Sequence, residues 1–289
     1  MQSRNPVFAR SEEFNGRANA YGNQTYPGNG QTYAGYGSPS SWSVGGPGQG
    51  TGSPTHTTAG SGPMTTDSVV QKTGITMLVV VLAAGATWLL TGDVTTGANA
   101  LSGVYGLAMG GALLGFVLSM VNSFKRVISP ALVLAYAVCE GVFVGAMSKV
   151  FEAQFPGIVI GAVLGTFAAV AGTLAAYKFF DIKVTDKFRK GVTAVMLGFV
   201  ALVFLDFVLS FFHASFGING FGTMGLIFSV LGLALGVLML VLDFDYVERG
   251  VAAGLPERES WRAAFGLAVT IIWLYIEILR ILAILRGND

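Results

Sequence analysis

From residue 75 onward the apolar residues gather into seven blocks, at about 75–91, 100–121, 131–149, 157–177, 191–212, 223–245 and 262–285. Each block is near the ~20 residues that a helix needs to cross a hydrocarbon layer of ~30 Å. The blocks are too long for strands and lack the alternation of a membrane barrel. A helix closes every backbone hydrogen bond within its own segment, as lipid requires. The pattern therefore predicts an all-α membrane protein, a seven-transmembrane helix bundle over residues 71–289.

Residues 1–70 follow the opposite pattern. The stretch from Ala18 to Gly62 is built largely from Gly, Ser, Thr, Asn, Pro and Tyr. It has no apolar period and cannot bury enough surface to offset the entropy of ordering. We expect a disordered tail, with Tyr21, Tyr26, Tyr33, Tyr36 and Trp42 as scattered sticky sites. Asn5-Pro6-Val7-Phe8 is a candidate docking peptide for a membrane-protein partner. No charged start followed by an apolar core is visible, so the first apolar block is expected to serve as the insertion signal.

The loops alternate in charge, which predicts an orientation. Lys125 and Arg126 lie between the second and third blocks. Lys178, Lys183, Lys187, Arg189 and Lys190 lie between the fourth and fifth, and Arg249 and Arg258 between the sixth and seventh. The intervening loops at 92–99 and 213–222 carry no Lys or Arg, and 150–156 has only the neighbouring Lys149. The positive-inside rule places the tail and the basic loops in the cytoplasm. Seven crossings then put the C-terminus outside a cell membrane.

Composition narrows the function. Charged residues are 11% of the chain, against about 25% in soluble proteins. The net charge of +1 offers no basic field for nucleic acid. Cys139 is the single cysteine, and His56 and His213 are distant in sequence. No disulfide and no Cys/His zinc spacing follow from these. His213 is expected to be exposed in a loop. No GxSxG, HExxH, Gly-x-Gly-Asp or phosphate-binding loop occurs, so an enzyme is not expected.

Five small-residue pairs have GxxxG spacing: Gly106/Gly110, Gly111/Gly115, Gly141/Gly145, Gly161/Gly165 and Gly232/Gly236. That spacing lets membrane helices approach closely and predicts a tight bundle.

The candidate chemistry is acidic. Glu140, Asp206, Asp243, Asp245 and Glu277 fall within the blocks, with Arg280 the one base well inside. A charge at the bilayer centre costs at least ~2.5–3.5 kcal/mol on insertion scales. Such groups are protonated, paired or open to water. An acid-rich interior suits a cation or proton pathway. Two carboxylates held together share a proton at low pH, and at higher pH they repel or accept a divalent cation. Other roles stand beside these. Glu140 also fits a satisfied interior acid. Asp206 fits a structural hydrogen bond to a neighbouring helix, the role we favour. Asp245 also fits a solvated interface position. Glu277 and Arg280, three residues apart, also fit a local ion pair.

The third block, Pro130…Tyr136…Glu140-Gly141…Gly145, resembles the signature of the Bax inhibitor-1 (TMBIM) family in its bacterial branch. Val241-Leu242-Asp243-Phe244-Asp245-Tyr246-Val247 and Leu274-Tyr275-Ile276-Glu277-Ile278-Leu279 are similar to that family's last two motifs. The resemblance covers about residues 70–287. It implies a bundle around a central, C-terminal helix that acts as a pH-sensitive calcium leak. It further implies that Asp243 and Glu277 form the proton-sensing gate, with Asp245 as fallback for Asp243, and that Arg126 latches onto the pair. Calcium would meet Asp243 and Glu277, and no other cofactor is implied. Departures are the glutamate at 277, Arg280, a longer loop after the sixth block and the Gly-rich tail, which we read as outside the family pattern. Two rivals remain. One is a scaffold or regulator of a protein-quality-control protease or stress response, working through the tail. The other is a proton-coupled secondary transporter.

Overall fold

A computed structural model describes residues 62–92, 98–214 and 216–287, and these form seven helices. They are α1 (Thr66–Leu90), α2 (Ala98–Phe124), α3 (Pro130–Gln154), α4 (Ile158–Phe179), α5 (Asp186–Ser210), α6 (Thr223–Ala252) and α7 (Glu259–Gly287). All seven are long and apolar enough to cross a membrane. The expected tail disorder and the Asn5–Phe8 docking peptide lie outside the described residues, as do the aromatic sites from Tyr21 to Trp42.

Most helices overrun the blocks that hydropathy marks, because hydropathy reports only the part bathed in lipid. α6 has 30 residues, about 45 Å at 1.5 Å per residue, which exceeds the hydrocarbon thickness. Its surplus carries Asp245 and Arg249 past the apolar stretch. α5 likewise begins at Asp186, so Lys187, Arg189 and Lys190 form a helical turn rather than a loop.

Local chemistry sets the starts. α1 opens with a capping box in which Ser68 N donates to Thr65 Oγ1 at 3.1 Å and Thr65 N donates to Ser68 Oγ at 3.2 Å. Together these satisfy two donors the first turn leaves free. Pro130 opens α3, where its missing N–H costs nothing. Thr185 caps α5 by accepting from Phe188 N.

The boundary expected at residue 70 therefore lies earlier. Met64 N donates to Leu255 O at 2.6 Å, and Glu257 N donates to Gly62 O at 2.8 Å. Lys72 meets Glu257 at 3.0 Å, and Ser68 Oγ lies 2.6 Å from Ser260 Oγ. Met64 is buried among Leu240, Ala263 and Leu267. Residues 62–65 are a strap pinned to the α6–α7 corner.

α7 is central: it packs against α1, α3, α4 and α6. Its Leu274, Leu279, Ala283 and Ile284 are buried. Among the described residues α2 packs on α3 and α5 on α6, so these two sit at the rim. Four of the five GxxxG pairs face a neighbour. Cβ atoms at Gly141 and Gly145 would lie 2.5 Å from the Val80 and Ala84 carbonyls of α1. Gly111 abuts the backbone of α3, Gly161 and Gly165 face α7, and Gly232 and Gly236 face Glu277 and Leu274. Gly106 and Gly110 face open space instead, because α2 turns its Gly111 edge to α3.

The bundle has two chemically distinct ends. Arg262 donates to the Lys125 and Arg126 carbonyls, and Arg249 donates to Val184 O. These contacts gather the three basic corners at one end, beside the strap. At the opposite end Lys149 donates to Trp88 O, Arg286 to Pro156 O, and Arg280 to the α5–α6 loop.

Candidate functional site

Polar groups follow one stripe of α7. Thr270, Trp273, Glu277 and Arg280 recur at intervals of three and four residues, which places them on one helix face. The first three of these meet α6. Thr270 Oγ1 donates to Asp243 Oδ2 at 2.6 Å, and Trp273 Nε1 donates to Gly232 O at 3.0 Å. The Glu277 carboxylate presses against Gly232, where a Cβ would stand 2.7 Å from its Oε1. Gly232 is thus the gap that admits the acid.

Glu277 is 6% exposed, and its Oε2 has no hydrogen-bond partner. Ser229 Oγ, one turn from Gly232, is also buried without a partner. Two unsatisfied polar atoms thus lie at the α6–α7 interface, at a depth where such atoms are costly. Glu277 and Arg280 attract across one helical turn but make no direct salt bridge among the described residues. Arg280 turns instead toward the loop carbonyls of Ile218 and Gly220.

Asp243 and Glu277 do not meet. Asp243 sits against Thr270, seven residues from Glu277, which is about 10 Å along the axis. The structure therefore places the two acids in series. Asp243 is half-buried and lines a cavity of about 470 Å³ with Arg189, Tyr246, Arg249 and Leu255.

Asp245 is neither solvated nor turned to α7. It is 6% exposed and receives Arg189 Nη2 at 2.7 Å and Arg249 Nε at 2.9 Å. Two residues past Asp243 on a helix, it points to the α5 side. The latch assigned to Arg126 is occupied by other arginines. Arg126 is exposed at the α2–α3 corner, away from both acids, because α2 packs on α3 and not on α6. Arg189 and Arg249 hold the acid that does need a counter-charge. The i,i+4 spacing of Asp245 and Arg249 is legible in the sequence; the approach of Arg189, 56 residues away, is not.

Glu140 stands apart from the stripe. It is half-buried, one turn after Tyr136, and lies against Gly115 of α2. Tyr136 itself packs edge-on to Phe265, with ring centroids 5.0 Å apart.

Asp206 is 1% exposed and does make structural hydrogen bonds, but to a loop rather than a helix. Its Oδ1 accepts from Phe216 N at 2.6 Å. Its Oδ2 accepts from Asn219 N at 3.0 Å and from Asn219 Nδ2 at 2.9 Å. His213 is exposed, as expected. Among the described residues no three His, Cys, Asp or Glu side chains converge as a metal site would need.

An uncharacterized protein of Chlamydia muridarum (strain MoPn / Nigg) is 27% identical over 180 residues, which is 60% of this chain and 73% of that protein. The family model described as Bax inhibitor 1 like matches residues 5–287. The match begins far upstream of residue 70, so the N-terminal segment falls inside the family's span, contrary to the reading that set the tail apart. With seven membrane-length helices and a match over nearly its whole length, this multi-pass membrane protein belongs to the Bax inhibitor 1 like family.

Proposed function

We propose that the chain is a cation leak, permeable to calcium and regulated by protons, with no enzymatic role. The observation that carries this is Glu277: a carboxylate buried between α6 and α7 with one oxygen that has no hydrogen-bond partner, while Arg280, the base one turn away, is bonded to loop carbonyls. A fold keeps such a group at a cost, and an intramembrane acid of this kind marks an ion or proton path. Asp243, two turns nearer the basic end, supplies a second carboxylate on the same interface and opens to the 470 Å³ cavity. Together with Ser229 and the Gly232 backbone they form steps along the α6–α7 interface.

Calcium takes 6–8 oxygen ligands, and each step offers a single carboxylate. Such steps bind weakly and release readily, which suits passage rather than storage. Protonation removes the negative charge at each step. Flux is therefore expected to rise from pH 5 to pH 8, as the carboxylates ionise. The basic end faces the cytoplasm by the positive-inside rule, in a cell membrane.

The test is calcium influx into liposomes holding the purified protein, across pH 5–8. Flux above empty vesicles that rises with pH supports the reading. Vesicles no leakier than empty ones at any pH overturn it.

A second reading is a regulator that binds a membrane-protein partner through the N-terminal segment. The strap at 62–65 favours it, since a pull on the tail would be felt at the α6–α7 corner. Deleting residues 1–61 separates the two: a leak survives, and a tail-bound partner is lost in a pull-down.

A further inference from the structure

The geometry points to residues 216–220 as a gate over the end of the bundle opposite the basic loops, with Asp206 and Arg280 as the positioning residues that hold it shut. The gate deepens the leak reading, on which its physiological meaning rests.

The segment is gripped from two sides by buried charges that use its backbone. On α5, Asp206 accepts from Phe216 N, Asn219 N and Asn219 Nδ2 at 2.6, 3.0 and 2.9 Å. On α7, Arg280 donates to the carbonyls of Ile218 and Gly220. An acid can only accept and a guanidinium can only donate, so the acid takes the N–H groups and the base takes the C=O groups. Each charge is satisfied while the segment stays closed, and each loses those partners if it lifts. Ile218 is 4% exposed, plugged into the bundle end. Phe221 stacks near Phe151 of α3, with centroids 5.8 Å apart. Gly217 has φ +76°, a conformation that favours glycine and lets the chain turn over the helix ends. Gly225 allows Gly220 O to sit directly on α6.

What lies beneath gives the cover a purpose. Glu277 is three residues inward from Arg280, about one helical turn, and Ser229 faces the same interface. Both carry unsatisfied buried atoms. Lifting the segment would free Arg280 from its carbonyls, one turn from Glu277, and admit water to both atoms.

The test reads water access and not ion flux, so it stands apart from the leak reading. Ser229→Cys is placed in a Cys139→Ser background, and the full chain is set in lipid nanodiscs. Labelling by a water-soluble maleimide is timed, with a Phe216→Cys protein as the exposed reference. In the otherwise unchanged chain Cys at 229 should label at least tenfold more slowly than the reference. Adding Asp206→Asn or Arg280→Gln should raise the rate at least tenfold, while Lys183→Gln, exposed at the basic end and outside the path, should leave it unchanged. Should Asp206→Asn fail to fold, Asn219→Ala keeps the acid and removes the Asn219 Nδ2 bonds to Asp206 Oδ2 and to Val203 O, leaving the two backbone N–H bonds. Equal rates with and without these substitutions overturn the gate, as does a parent rate matching the reference. Faster labelling without calcium flux in any variant would leave the gate standing and remove the leak.

Discussion

At the residue scale, the buried acids divide by whether they have partners, and the division predicts opposite responses to neutralisation. Asp245 lies between two arginines. Asp245→Asn would leave Arg189 and Arg249 facing each other without the carboxylate. Both guanidinium groups are partly solvated, with side chains 40% and 48% exposed. The cost should therefore fall below the 3–5 kcal/mol of a fully buried broken pair, at about 1–3 kcal/mol. A thermal melt in detergent should show the loss as a lower Tm. Glu277→Gln removes a buried charge that has one oxygen without a hydrogen-bond partner. It should melt at or above the parent's temperature, and its calcium flux should rise less between pH 5 and 8 than the parent's, the remaining rise coming from Asp243. A clear loss of stability on Glu277→Gln would mean the carboxylate is held by structure rather than kept for function. The sequence shows that these residues are acidic and intramembrane, but it does not show which acid has a partner. Arg189 reaches Asp245 only because α5 folds back along α6, and no spacing encodes that. The α7 stripe, by contrast, is legible in advance: Thr270, Trp273, Glu277 and Arg280 share a face by helical period alone.

At the element scale, helix contacts in this bundle depend on missing side chains. Without water to expel between helices, close backbone approach supplies much of the association energy. Adding one methyl at Gly141 would drive it into Val80 O and the Ala83 side chain, at 2.5 and 2.6 Å. Gly141→Ala should cost about 1–3 kcal/mol through overpacking. Gly106→Ala has nothing within 4 Å and should change stability by no more than about 0.5 kcal/mol, as surface substitutions do. Paired melting curves of the two variants check this directly, and equal Tm shifts would show that the α1–α3 contact does not rest on Gly141. The motif spacing marked both pairs alike. Only the rotation of α2 distinguishes them, because Gly106/Gly110 and Gly111/Gly115 occupy different edges of one helix. The helix ends lie beyond the apolar blocks for a related reason. Hydropathy falls where a helix leaves lipid, yet α5 and α6 continue for further turns on capping and ion pairs.

At the scale of the whole molecule, the strap ties the N-terminal segment to the part of the bundle that carries Asp243 and Asp245. Met64 is 1% exposed beneath the α6–α7 corner, and its sulfur lies where a Cβ on Gly250 would be 3.0 Å away. Its backbone N–H and the neighbouring Gly62 carbonyl bond to the α6–α7 turn. Removing residues 1–61 breaks none of these bonds. Removing residues 1–65 breaks them all. It empties the Met64 site, at about 2–5 kcal/mol for a comparable core truncation. It also deletes the cap of α1, at about 1 kcal/mol. For a domain of this size each kcal/mol shifts Tm by about 2–4 °C, so a drop of several degrees between the two truncations is expected. If the strap also transmits force, the longer truncation should change leak rate per molecule in liposomes even at temperatures where it remains folded, and the shorter one should not. Matching Tm values for the two truncations would make the strap a passive overlay. Residues 62–65 would then offer no mechanical route to the α6–α7 interface.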